Sequence, residues 1–312
     1  MEFDLEDRTI YYVRHGSFAY GTNIESSDED FKGVAIAPLD YYLGCFKRFE
    51  QTEKYVSKGA DKDEVIYDIQ KFINMASNAN PNIIEVLFVD ESDIVSISYL
   101  GRMLRDHSDL FVTKKIRHSM AGYAHQQAHR IRTHRAWLLN PPQKKPARED
   151  FGLSLVNKVT PSEMGAYEHV LSAGEVLPES IMSILAKEKA YARAKQNWDQ
   201  YENWKKDRNK DRAALEAKHG YDTKHAYHLV RLMRMAGEIL RGEGVKVKRK
   251  ADKDELLAIR KGAWSYDKLM EWFDAEDKLL TELYEKSTLP FEPDHQELDN
   301  LSMKLIREWH SI

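Results

Sequence analysis

The chain has 312 residues, 31% of them charged, a formal net charge of -4 and a mean hydropathy of -0.63. No stretch approaches the roughly 18 consecutive apolar residues that a membrane-spanning helix needs, so a helical membrane protein is excluded. The single cysteine, Cys45, excludes an intrachain disulfide and a cysteine zinc cluster.

The length predicts about two domains. The first ninety or so residues read as mixed α/β. Residues 9–13 form a β-rich run ending at Gly16, residues 31–37 a second run closed by Pro38, and residues 65–67 a third, bounded by acids. A helix follows over residues 69–78, with Ile69, Phe72 and Ile73 on one side. Asn80-Pro81-Asn82 ends it and starts a further turn at residues 83–88. From about Ser96 strand signals fade and helical periodicity takes over. Helices are predicted over residues 113–138, 178–219, 223–240, 254–261, 266–285 and 296–309. The predicted class is therefore α+β: a small mixed sheet with flanking helices (1–110), followed by an all-helical domain (111–312). Cys45 reads as a buried thiol and Trp264 as helical core. The acidic start, MEFDLEDRTI, predicts no secretory signal, and the cysteine usage predicts a reducing, cytoplasmic address.

The total charge conceals a division. Residues 1–112 hold 21 acidic and 11 basic side chains, whereas residues 113–148 hold nine basic, four histidines and no acid. This concentrated basic segment is where a polyanion would bind.

Chemistry concentrates at His15-Gly16-Ser17-Phe18-Ala19-Tyr20-Gly21-Thr22 and Ser27-Asp28-Glu29-Asp30. Gly16 permits a tight turn after a strand, and Ser17 opens a short helix whose backbone N–H groups and hydroxyl suit a phosphate. Asp28 and Asp30 are two apart at the start of a strand and share one face. Two adjacent carboxylates repel unless a cation holds them, and hard oxygens with open positions fit Mg²⁺ (or Mn²⁺) bridging to a nucleotide's phosphates. Asp61, Asp63, Glu64 and Asp68 crowd the third strand. Asp63 and Glu64 point to opposite faces, so one of them can join the pair.

Gly-Ser closing one strand and Asp-x-Asp opening the next resembles the signature of the DNA polymerase β-type nucleotidyltransferase superfamily. Read further, Gly16-Ser17-x-Ala19-Tyr20-Gly21-Thr22 and Ser27-Asp28-x-Asp30-x-x-Gly33-Val34 resemble the bacterial and phage predicted nucleotidyltransferases related to the RNA-repair ligase accessory protein. Later blocks agree: Asn80-Pro81-Asn82-x-x-Glu85, Gln127-x-x-Arg130-Ile131-x-x-His134-Arg135, Lys224-His225-x-x-His228-Leu229-x-Arg231 and Ile259-Arg260-x-Gly262-x-Trp264. The resemblance spans about residues 10–295 and places the third acid at Asp63. Phe18 departs from the family's basic or small residue. It implies an NTP substrate cradled by Gly16, Ser17, Gly21 and Thr22, a nucleic-acid acceptor and an RNA-repair ligase as a partner.

The helical blocks supply cations. On residues 223–240 an apolar stripe (Leu229, Leu232, Met233, Ala236, Ile239, Leu240) runs beside a polar one (Lys224, His228, Arg231), which can face a triphosphate. On residues 113–138, Tyr123, Gln127, Arg130 and His134 share a face that, with Arg135, suits an acceptor's phosphates. The expected activity is transfer of an NMP from an NTP to a hydroxyl with release of pyrophosphate. The alternatives are nucleotidylation of a protein or small molecule, phosphodiester hydrolysis, and a non-catalytic nucleic-acid-binding module.

Overall fold

The computed structural model describes residues 3–55, 62–156, 158–208 and 210–311. Its first strand, β1 (Thr9–His15), is rich in aromatic and β-branched residues and leads directly into the one-turn helix α1 (Gly16–Tyr20). Then come β2 (Glu29–Ala35), α2 (Asp40–Leu43), β3 (Gln51–Tyr55) and β4 (Lys62–Asp68). The helices α3 (Ile69–Ser77) and α4 (Pro81–Leu87), the short strand β5 (Ile94–Ile97) and α5 (Tyr99–Asp106) follow. The rest of the described chain is helical: α6 (Ile116–Leu139), α7 (Pro161–Ser172), α8 (Glu179–Asp207), α9 (Lys210–His219), α10 (Thr223–Leu240), α11 (Lys253–Arg260), α12 (Tyr266–Lys286) and α13 (His295–His310).

The five strands form one mixed sheet in the order β3-β4-β2-β1-β5. β2 pairs antiparallel with β1 and parallel with β4, which brings the ends of three strands together at one end of the sheet. Asp68 caps α3 by accepting from the Gln70 backbone N–H at 2.8 Å, and Asn80 caps α4 with Pro81 in its first turn. Both caps fix where the sheet hands over to helix.

Packing divides the chain into two compact units, Met1–Ile131 with Thr223–Ile312, and Arg132–Asp222. The last strand ends at Ile97, and α10–α13 belong to the same unit as the sheet. The predicted apolar stripe of α10 is buried, and this helix packs on α11 and α12. α13 packs on α3 and α5, and its His310 Nε2 lies 3.1 Å from the Ala37 carbonyl oxygen. In the second unit, Trp137 donates its indole N–H to Asn197 Oδ1 at 3.0 Å. No helix among the described residues is long and apolar enough to cross a membrane.

Several expectations are corrected. The helix expected over residues 178–219 is two helices. Arg208 takes an extended conformation between them (φ -69°, ψ 122°), its Nε donates to Glu216 Oε2 at 2.7 Å, and its guanidinium covers the Trp204 ring. No glycine or proline announces that break. The edge strands β3 and β5 escape pattern reading because one is polar in its first four residues and the other only four residues long. Cys45 is exposed, in the turn after α2, whereas Trp264 is buried as expected.

The seat of α5 depends on the absence of a side chain. A Cβ on Gly101 would lie 2.1 Å from the Ile10 carbonyl oxygen on β1. Gly101→Ala is therefore expected to lower stability by about 1–3 kcal/mol, the usual cost of overpacking, measured by thermal unfolding.

Candidate active site

Strand register assembles the carboxylates. Asp28 precedes β2, and Asp30, its second residue, pairs with His15 on β1 and with Asp63 on β4. One carboxylate oxygen from each of Asp28, Asp30 and Asp63 lies within 4.8 Å of the other two. Glu64 faces the other way and accepts a hydrogen bond from the Tyr12 hydroxyl at 2.6 Å. Asp68 is committed to capping α3, where the Tyr42 hydroxyl also donates to it. Asp61 lies outside the described residues.

The cluster is electrostatically strained. The Asp30 carboxyl is pushed above its ordinary range by burial and then by the charges of Asp28 and Asp63, with Lys32 and Lys224 opposing. Three hard oxygen donors at this spacing, one reluctant to ionise, fit a divalent cation. The backbone is shaped for the cluster too. Gly16 has φ +62°, and a Cβ there would lie 1.9 Å from Asp30 Oδ2.

These acids sit in a cleft of about 350 Å³. His15, Gly16 and Ser17 line it from β1 and α1. Lys32 and Asn82 contribute from β2 and α4, Lys224, Tyr227 and His228 from α10, and Arg260 from the end of α11. Lys32 lies two residues beyond Asp30 and so on the same face. Its Nζ donates to the Asn82 carbonyl at 2.7 Å, and burial holds its pKa down to about 8. Arg260 donates to the Thr22 carbonyl at 3.1 Å. His15 is brought down to about 4 by burial and Lys32, with Glu85 opposing. His228 falls well below its ordinary value through burial and the surrounding Arg231, Lys224, His225 and Arg260. At neutral pH both imidazoles are uncharged, so Lys32, Lys224 and Arg260 carry the cleft's positive charge.

Gly16, Ser17, Asp28, Asp30, Asp63, Lys224 and His228 thus come together, while the other expected site residues do not line the cleft. Gly21 is the left-handed cap of α1 (φ +70°). Thr22 is buried behind the cleft, its Oγ1 2.5 Å from the Tyr227 hydroxyl. Arg231, expected at the phosphates, is buried and paired with Glu85, because it lies on the side of α10 that packs against α1 and α4. Arg130 is exposed on α6. His134 and Arg135 belong to the second unit, where His134 stacks on Trp137 (5.6 Å between ring centres) and Arg135 donates to the Gly220 carbonyl at 2.9 Å. Beside Phe18, the Arg14 guanidinium lies 5.4 Å from the ring centre and brings a cation to that spot. Sequence reasoning missed Lys32, which its two-residue spacing from Asp30 could have disclosed. It also missed Arg260, for which the only signal was its place in the Ile259–Trp264 block.

A glycine-serine turn at the end of one strand, an Asp-x-Asp opening the next, and a third aspartate on the parallel neighbour thus meet at one end of the sheet. Residues 2–140 match the RNA repair pathway DNA polymerase beta family, a match that supports assigning this part of the chain to the DNA polymerase beta-type nucleotidyltransferases. The chain is also 26% identical over 128 residues to the "Uncharacterized 38.9 kDa protein in nrdC-mobD intergenic region" of Enterobacteria phage T4, covering 39% of this chain and 38% of that protein. No solved structure matches the chain.

Proposed function

We propose that this chain is a metal-dependent nucleotidyltransferase that moves an NMP from an NTP to a hydroxyl acceptor, with RNA or another nucleic acid as the acceptor. The observation that carries this reading is the convergence of Asp28, Asp30 and Asp63 in a cleft also lined by Lys32, Lys224 and Arg260. The three aspartates would hold Mg²⁺ or Mn²⁺, which when bound polarises the α-phosphate and offsets the phosphates' charge. Ser17 offers its hydroxyl and backbone N–H to the β- and γ-phosphates. Lys224, Arg260 and Lys32 neutralise the charge that builds on departing pyrophosphate. His228, uncharged, can hydrogen-bond a phosphate oxygen. Asp63 accepts the acceptor hydroxyl's proton as the new O–P bond forms and the α–β phosphoanhydride bond breaks.

The family description sets RNA repair as the context, and the acid-free basic segment, which carries Arg130, His134 and Arg135, supports a polyanionic acceptor. An RNA-repair ligase is the partner this context suggests, and a reducing cytoplasm the address.

The deciding experiment supplies radiolabelled NTPs and Mg²⁺ with RNA, DNA and protein acceptors, comparing the natural chain with Asp28→Ala/Asp30→Ala. Label should enter RNA, pyrophosphate should be released, and the double variant should be inert. Label on a protein instead would move the acceptor. No labelled product and no Mg²⁺–NTP binding would end the proposal. Lys224→Met and Arg260→Met should each raise the KM for NTP ~10- to 100-fold, in line with about 1.5–3 kcal/mol for a hydrogen bond to a charged group. Arg130→Ala should weaken RNA binding across sequences and reduce its log–log salt slope by about one, read by binding titrations at several salt concentrations.

A further inference from the structure

Two blocks that are far apart in the sequence meet beneath the cleft. Glu85, from the Asn80-Pro81-Asn82 block on α4, and Arg231, from the His225–Arg231 block on α10, are both buried and form a hydrogen-bonded ion pair. Glu85 Oε2 also accepts from the Tyr20 hydroxyl at 2.5 Å and faces His15 Nε2 at 3.4 Å. The Arg231 guanidinium lies 3.7 Å from the centre of the Tyr20 ring. Burial alone would raise Glu85. The Arg231 charge and His15 more than reverse this and keep the carboxylate ionised.

A pair of this kind is a weak source of stability, because desolvating both charges consumes most of the Coulomb gain. What it fixes is geometry. α4 presents the Asn82 carbonyl on which the Lys32 ammonium rests. α10 carries His228 and Lys224 about one and two turns before Arg231. The ion pair ties these two helices together, and Tyr20 ties both to the turn that follows Gly16 and Ser17.

We propose that Glu85 and Arg231 are positioning residues for nucleotide binding. Their ion pair locks α4 to α10 and so holds Lys224 at a set spacing from Lys32, which lies beside Asp30 on β2. This rests on reading the cleft as an NTP site. A merely structural pair would be replaceable by any combination of side chains that restores stability, whereas a positioning pair would not.

The test uses the full chain with Glu85→Gln, Arg231→Met, the apolar double variant Glu85→Leu/Arg231→Met, and Glu85→Asp. Melting temperature is read beside Mg²⁺–NTP affinity, measured by calorimetry with a non-hydrolysable NTP, and beside kcat and KM. Each single variant should melt lower, because it leaves one buried charge unpaired. The double variant should recover the natural melting temperature but still bind NTP ~10-fold more weakly, the loss appearing in KM, as expected when phosphate contacts are displaced by a fraction of an ångström. Glu85→Asp keeps the charge but shortens its reach, and should fold with intermediate affinity. Full recovery of both stability and affinity in the double variant, or unchanged affinity in Glu85→Asp, overturns the proposal. If the double variant does not fold, Glu85→Asp decides. A natural chain that binds no Mg²⁺–NTP overturns the nucleotidyltransferase reading together with this one. A natural chain that binds normally and matches its variants overturns the positioning role alone.

Discussion

Asp30→Asn is expected to abolish metal-dependent nucleotidyl transfer, by ~10³-fold or more, and yet to make the metal-free chain more stable at neutral pH. Both effects come from one carboxylate. In the folded chain Asp30 titrates above its ordinary 3.8 because of burial and the neighbouring Asp28 and Asp63. Between those two pKa values the folded state keeps a proton that the unfolded state has released. Stability therefore falls as pH rises through that window, and the penalty grows as Asp30 ionises. Asparagine removes the charge and with it the penalty. Melting curves recorded with a chelator from about pH 4 to 8 should show the natural chain losing stability with rising pH relative to the variant. Added Mg²⁺ should raise the melting temperature of the natural chain and leave that of Asp30→Asn unmoved, because only a site that binds the ion is stabilised by mass action. Mg²⁺ affinity should also weaken as pH is lowered through the Asp30 titration, since proton and metal compete. A variant less stable than the natural chain in chelator at pH 7 would show that the carboxylates are not strained.

This prediction draws on the part of the site that a local reading of the sequence can reach. Gly16, Ser17, Asp28 and Asp30 lie within fifteen residues, and a turn followed by a strand of period two is enough to bring them together. Asp63 needs one further element, the parallel pairing of β2 with β4, which sets Asp30 beside Asp63 and sends Glu64 to the opposite face. Spacing alone left that choice open. The cationic wall was less legible. Helical periodicity separates the Lys224–Arg231 stripe from the apolar stripe of α10, but it does not say what stands across from each residue. Lys224 and His228 meet the cleft, whereas Arg231 meets Glu85, 146 positions away in the sequence. Arg260 reaches the cleft only because α11 packs on α10 and lets the guanidinium bond the Thr22 carbonyl. The fold shows the same limit. α10 has the bounds its periodicity predicts, because a wide apolar stripe decides them. The break between α8 and α9 is set by Arg208 turning back to Glu216, which no turn residue advertises.

Gly16→Ala should disable the proposed metal site by the opposite energetic route. An L-residue at φ +62° costs about 1–2 kcal/mol more than glycine. The added methyl carbon would also stand 1.9 Å from Asp30 Oδ2, 2.9 Å from its Cγ and 3.2 Å from its Cβ, so a small tilt of the carboxylate cannot clear it. Asp30 must rotate away from Asp28 and Asp63, and the cluster opens. The variant should therefore melt below the natural chain and show no Mg²⁺-dependent stabilisation, where Asp30→Asn melts higher and shows none either. A double-mutant cycle separates the two costs. If the clash with Asp30 matters beyond backbone strain, Gly16→Ala should cost less in an Asp30→Ala background, with a coupling of at least about 0.5 kcal/mol. Additive effects would mean that Gly16 serves only the turn. Non-additive effects would mean that the glycine is there to admit the carboxylate, which binds the first residue of α1 and the second residue of β2 into a single requirement for holding the cation.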